Sequence, residues 1–169
     1  MTTYTLVGAG HHGMEPGVHP VVAGGDGSKE ATGGVVVGTL QPRFWREGAR
    51  AVVDGTEWVY GKDSGHLGAR LATDPEGTAR MQAVRTSFWT SRHDVDLEGV
   101  RVQVQGGARN RVWTVDGAQL GAGGRVGFWS PVPTLTLRDD VPLRHAVFLV
   151  WLEHTFTRRN NSAATAAAT

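Results

Sequence analysis

The stretch PLRHAVFLVWLEHTF, Pro142–Phe156, contains the longest unbroken apolar run of the chain, Ala146–Leu152. Start signals precede it. Asp139 and Asp140 suit the positive end of a helix, and Pro142 in the first turn lacks only an N–H that would be orphaned there anyway. Stop signals follow in Arg158, Arg159, Asn160 and Asn161: cations complement the negative end, and Asn tolerates a left-handed cap. The pattern predicts one helix over residues 141–157, about 25 Å long at about 1.5 Å per residue. Leu143, Val147, Val150 and His154 share one side of it, and Phe148, Trp151, Leu152 and Thr155 another. A surface helix carries a single apolar stripe, whereas one that is apolar nearly all round is buried on all sides. The rest of the chain is therefore expected to wrap around it. A membrane span requires about 20 predominantly apolar residues, far more than this run supplies between Arg144, His145 and Glu153.

Upstream, the chain reads as strands. Tyr4–Ala9 is a first candidate. Residues 10–34 form a long Gly-rich region holding His11, His12 and His19, with room for a short strand near Val18–Ala23. From Gly34 onward, turn signals recur every 8–12 residues or so, an all-β signature. The expected strands are Val35–Leu40, Ala49–Val53, Thr56–Tyr60, His66–Ala72, Thr78–Arg85, Ser87–Ser91, Asp94–Gln105, Arg111–Val115, Ala118–Leu120, Arg125–Trp129 and Thr134–Leu137. Asp94–Gln105 alternates cleanly but shifts phase at Glu98-Gly99, which marks a turn or bulge. Two hairpins turn on Val-Asp-Gly, at residues 49–61 and 110–124; their likeness is explained by the Asp-Gly turn before an internal repeat need be invoked.

About twelve strands must hide their edges, and closure is the surest way. A barrel of that size leaves an interior too wide for its own side chains, and one apolar helix along the axis would fill it. The expected fold is mainly β: a closed antiparallel barrel of about twelve strands around one buried C-terminal hydrophobic helix. Trp45, Trp58, Trp113 and Trp129 sit in apolar strand patterns and are expected in its wall.

This order of elements, ending in GRVGFWSPVPTLTLRDDVPLRHAVFLVWLEHTFTRR at Gly124–Arg159, resembles the tubby C-terminal-like superfamily, which includes tubby proteins, LURP-one-related proteins and phospholipid scramblases. The resemblance covers roughly residues 35–159 and is strongest where a short strand, a Pro-rich turn and an apolar terminal helix follow in order. It implies one tubby-like barrel domain over residues 1–160, with the Gly-rich loop 10–34 and a flexible tail at 161–169, a segment with nothing to bury. Tubby proteins bind phosphoinositide head groups through clustered basic residues. No Lys/Arg cluster here matches residue by residue, so no binding residue is carried over.

Composition narrows the functions. The 169 residues carry a net charge of +1, so no overall basic field advertises nucleic acid, and none is expected as a partner. The absence of cysteine excludes disulfides, thiol catalysis and Cys-type zinc sites, and fits a reducing compartment. The first residues, MTTYTLVGAGHHG, lack a basic region followed by an apolar core, so no secretory signal is expected.

Several constellations are of residue types that carry chemistry. His11, His12, His19 and Asp26 are ordinary metal-ligand types but match no tight spacing, and solvated loop histidines account for them. Asp94, Asp96 and Glu98 recur at period two, which puts acids on one strand face and Val95 and Leu97 on the other. Ser87, Ser91 and Ser130 have no Gly-x-Ser-x-Gly elbow, and Asp54 and Asp116 read as turn residues. Two segments interleave cations with aromatics: Arg43, Phe44, Trp45, Arg46, and Arg85, Phe88, Trp89, Arg92. Such groups hold head-group phosphates or, equally, form a barrel wall with aromatics inward and arginines outward.

The leading expectation is a non-catalytic intracellular barrel, cytoplasmic and peripheral to a membrane, that binds an anionic ligand such as a phospholipid head group, or a protein partner. The candidate ligand residues are Arg43, Trp45, Arg46, Arg85, Trp89 and Arg92. No catalytic residue, metal, cofactor or transmembrane span is expected. The alternatives are a hydrolase-type enzyme with an unmarked His/Asp site, recognisable by convergent titratable groups of perturbed pKa, and a structural scaffold with no small ligand.

Overall fold

The structure is a computed structural model that describes residues 1–10, 13–25, 33–42, 47–87, 92–107, 110–126 and 132–167. Twelve strands run in chain order: β1 Thr2–Leu6, β2 His19–Ala23, β3 Val35–Pro42, β4 Ala49–Val53, β5 Thr56–Asp63, β6 His66–Leu71, β7 Met81–Arg85, β8 His93–Leu97, β9 Val100–Gln105, β10 Val112–Val115, β11 Ala118–Val126 and β12 Val132–Leu137. Each pairs antiparallel with its sequence neighbours, and β1 pairs with β12 in the register Thr2↔Leu137 to close the barrel. One helix, α1 Leu143–Ala167, follows.

Local sequence explains the meander. Asp54-Gly55 and Asp116-Gly117 both adopt positive φ at both residues, the twist-matched geometry of a two-residue hairpin turn. Ser64-Gly65 and Glu98-Gly99 do the same. The phase shift in Asp94–Gln105 is therefore a full hairpin turn between β8 and β9. Alternation then sorts the faces: Ala49, Ala51 and Val53 point inward from β4, with Arg50 and Val52 outward.

The helix is enclosed. From His145 to Thr157 every residue is buried except His154, which is half-buried. Burial on all sides places this segment on the barrel axis, as an all-round apolar sequence requires. Its rings interlock with the wall: Tyr60 meets Phe148 edge-on at 5.4 Å and Trp151 at 5.2 Å. At Gly38 an added Cβ would lie 3.1 Å from a Val147 methyl, so the wall approaches the helix closely there.

The strand directions define two ends. The helix enters at the end where β12 finishes, the lower end, which also carries the Glu98-Gly99 and Asp116-Gly117 turns. It leaves at the upper end, beside Glu47 before β4 and Arg111 before β10.

Four details depart from the sequence reading. The helix starts at Leu143 and does not stop near Arg158; it continues through the expected tail to Ala167, about 37 Å in all. Ala is the strongest helix former, and Ser162 Oγ ties back to the Arg158 carbonyl at 3.1 Å, so the Asn pair does not act as a cap. Ala118–Leu120 and Arg125–Trp129 are not separate: residues 118–126 are one strand, in which Gly121, Gly123 and Gly124 continue the ladder with β12. Ser87 lies outside any strand, and the rest of Ser87–Ser91 lies outside the described residues. The strand expected from Thr78 begins at Met81, because residues 72–80 are spent on a turn that Asp74 organises through Arg80 and the Leu71 N–H. Trp58 and Trp113 are buried wall residues as expected; Trp45 and Trp129 lie outside the described residues.

Candidate functional site

Six ionisable side chains line the helix from Arg144 to Arg159, and their partners divide them. At the lower end Glu98, in its turn at φ 55°, receives Arg144 Nε at 2.6 Å and faces His145 Nε2 at 2.8 Å. Desolvation works against the Glu98 carboxylate, but these two contacts outweigh it and hold its pKa below the ordinary value.

At the upper end, on the side facing β10 and β11, Glu153 pairs with Arg111, their side chains only 2% and 3% exposed. Burial pushes the Glu153 carboxyl above its ordinary range, and Arg111 pulls it back only in part. The pair fits because Gly123 leaves the wall bare: a Cβ there would sit 2.6 Å from a Glu153 oxygen. The Arg111 guanidinium also lies 5.2 Å over the Phe156 ring, and His93 stacks on that ring at 4.2 Å. Thr157 Oγ1 is buried with no hydrogen-bond partner among the described residues, and Trp113 Nε1 faces Glu153 without a well-aligned hydrogen bond, which still helps to hold the Glu153 carboxyl down.

On the side facing β1–β4, Arg159 clasps Glu47 with two parallel hydrogen bonds, one of 2.6 Å. Chiefly through that contact, against the opposing effect of desolvation, Glu47 stays below the ordinary carboxylate value. The clasp walls a cavity of about 310 Å³ at the upper mouth, which opens between the helix and the ends of β1, β3 and β4. Leu6, Leu40, Pro42 and Trp151 give it an apolar lining; His154, Arg158 and Ser162 supply its polar groups with the Glu47–Arg159 clasp.

His154 and Arg158 are one helical turn apart. Among the described residues neither forms an ion pair; Arg158 interacts with Glu47 only through its field, because Glu47 is bonded to Arg159, and the His154 imidazole makes no hydrogen bond. Burial strips water from His154, and Arg158 and His19 add positive potential, so its pKa falls to about 4. It is therefore neutral at neutral pH. His19 is itself fixed, with Nδ1 2.9 Å from the Val7 carbonyl. What this mouth can do chemically is accept an anion: Arg158 and Arg159 share the single carboxylate of Glu47, and Arg158, which is not bonded to it, stands at the rim of a part-apolar cleft.

The residues singled out from sequence fall elsewhere. Arg85 ends β7 and Arg92 precedes β8; both are exposed on the upper rim, tied by the Thr86 N–H to Arg92 carbonyl bond of 3.0 Å and by the Arg85↔His93 register. That rim section is four strands round the ring from β3–β4, and neither arginine lines the cavity. Arg43, Trp45, Arg46 and Trp89 lie outside the described residues, although Pro42 and Glu47, which flank the first three, both line the cavity.

Of the metal candidates, His11, His12 and Asp26 lie outside the described residues, and no group of three ligand-type side chains gathers among those described. Asp94 and Asp96 face outward beside Arg101, in an outer groove of about 370 Å³. Glu98 leaves their face, because its turn aims it at the helix instead. The sequence reading missed His154, Arg158, Arg159, Arg111 and Glu153. A signal existed for His154: it occupies an otherwise apolar helix face, four residues before an arginine. No helix among the described residues is long and apolar enough to cross a membrane. Comparison with protein-family models, curated proteins and solved structures finds no match to this chain.

Proposed function

We propose that this chain is a tubby-like barrel that works without catalysis, as a cytoplasmic protein peripheral to a membrane, and binds an anionic ligand such as a phospholipid head group at its upper mouth. The observation that carries the reading is the pairing pattern along the helix. Arg144, His145, Glu153 and Arg159 each have a partner of opposite charge or bond to one. Arg158, which feels the Glu47 charge but forms no ion pair with it, and His154, which bonds to no acid, are adjacent on one helix face and line the same cavity. At about 310 Å³ the cavity matches a head group better than an acyl chain, since drug-sized sites begin at about 300 Å³. The tubby-like likeness is one of architecture and supports the choice of ligand class only by analogy.

The test is co-sedimentation with phosphatidylcholine vesicles, with and without phosphatidylglycerol, at low and high salt. Binding should require phosphatidylglycerol, weaken with salt, and drop about tenfold or more in Arg158→Glu. Equal partition onto both vesicle types, or no loss in Arg158→Glu, refutes the site.

A further inference from the structure

We propose that anion binding at the upper mouth is coupled to protonation of His154, so that the site takes up a solvent proton together with a monoanionic phosphodiester. This rests on the mouth being the anion site. The argument starts from what surrounds the imidazole. From the helix itself, Arg158 stands one turn on, and Arg159 is neutralised by Glu47. From β2 comes His19, held on the Val7 carbonyl. From β1 and β3 come Leu6, Leu40 and Pro42, none of which ionises. Glu47 is the acid of this wall, and it is engaged.

A proton on His154 would therefore sit in a desolvated wall, beside one cation, with the one carboxylate of that wall already bonded to Arg159. That arrangement keeps the apo imidazole neutral at ordinary pH. A bound phosphodiester supplies the missing negative charge and an acceptor oxygen, reversing the local balance. Linkage is reciprocal: an anion that raises the proton affinity of His154 must itself bind more tightly to the protonated site. Arg158 cannot provide this dependence, because a guanidinium stays charged throughout the range.

The size of the effect follows from the two limits. If the anion returns His154 from about 4 to the ordinary 6.5, affinity rises about twenty-fold between about pH 7 and about pH 5. A phosphodiester is the right probe because its own charge does not change in that window.

The experiment is calorimetric titration of the intact protein with glycerophosphoglycerol at about pH 5 and about pH 7, each in two buffers of different ionisation heat. The same pH comparison is run with phosphatidylglycerol vesicles, which separates a free head group from one in a bilayer. The expected result is tighter binding at the lower pH with net proton uptake. In His154→Gln, whatever affinity remains should show neither the pH dependence nor the proton uptake. His19→Gln should keep both. A His154→Gln profile as steep as that of the unmodified protein overturns the coupling while leaving the anion site standing. So does loss of the dependence in His19→Gln alone. Absence of binding to either probe at both pH values overturns the site and the coupling with it.

Discussion

Two histidines on one helix, nine residues apart, meet opposite fates. His145, at the lower end, is buried and rests against Glu98 at 2.8 Å, inside a three-member cluster closed by Arg144. His154, at the upper end, faces Arg158 and His19 and has no hydrogen bond among the described residues. Both sit on the same apolar scaffold, so propensity and hydrophobic pattern do not distinguish them. The difference is what the wall brings. The β8–β9 turn delivers a carboxylate to His145, whereas the carboxylate nearest the upper mouth is taken by Arg159. A barrel that gives ion-pair or hydrogen-bond partners to four of the six ionisable helix side chains, and none to two neighbouring ones, has a receptive spot at its upper mouth.

The largest effect tests whether compensation by the wall is energetically real. Glu153→Ala should lower unfolding free energy by about 3–5 kcal/mol in urea denaturation, since it strands a buried Arg111. A loss below about 1 kcal/mol would mean that Arg111 finds water or another partner, and the contrast between compensated and open positions would lose its basis.

Next is the pH response of the open histidine. A folded pKa depressed to about 4 means that the unfolded chain binds the proton more tightly between about 6.5 and 4. Stability should then fall by about 3 kcal/mol as pH drops through that window and level off below it. His154→Leu should remove this slope when thermal unfolding is followed against pH; an unchanged slope would assign it to other groups. Glycerophosphoglycerol, added in excess, should restore stability at the acidic side if the mouth binds it.

The lower end should respond more weakly and with the opposite chemistry. Glu98→Gln should cost about 1 kcal/mol near neutral pH, because its cluster is partly solvated. Its carboxyl lies below the ordinary 4.5, so its contribution is present above that value and is lost as pH falls through the folded pKa. Acid titration of the variant should therefore lack the part of the stability loss that begins below about pH 4.5.

The smallest effect on stability is at Arg158. It is exposed and bonded to no carboxylate among the described residues, so Arg158→Ala should change unfolding free energy by less than about 0.5 kcal/mol while weakening vesicle binding. A large destabilisation would show that the side chain is structural.

Much of the architecture was legible in advance. The run Ala146–Leu152, apolar on every side, required a surround, and turn residues such as Asp54-Gly55 and Asp116-Gly117 marked hairpins that the backbone makes with positive φ. Strand number and closure followed from those two facts. The helix end was not legible: Arg158–Asn161 looks like a stop, while the alanines beyond it prolong the helix at little cost.

The site was not legible in the same way. Arg85 and Arg92 stand near aromatics in sequence, yet strand order carries them four strands from the cavity. Arg111 and Glu153 are 42 residues apart, and Gly123 makes room for their contact. By itself the sequence determined that one helix must be enclosed by a meander of strands, because side-chain periodicity and turn chemistry are local and add up along the chain. Which helix charges would be answered by the wall, and that His154 and Arg158 would not be, was decided only by the tertiary structure. Those outcomes depend on the rotation and depth of the helix within the barrel, which packing sets and no local pattern records.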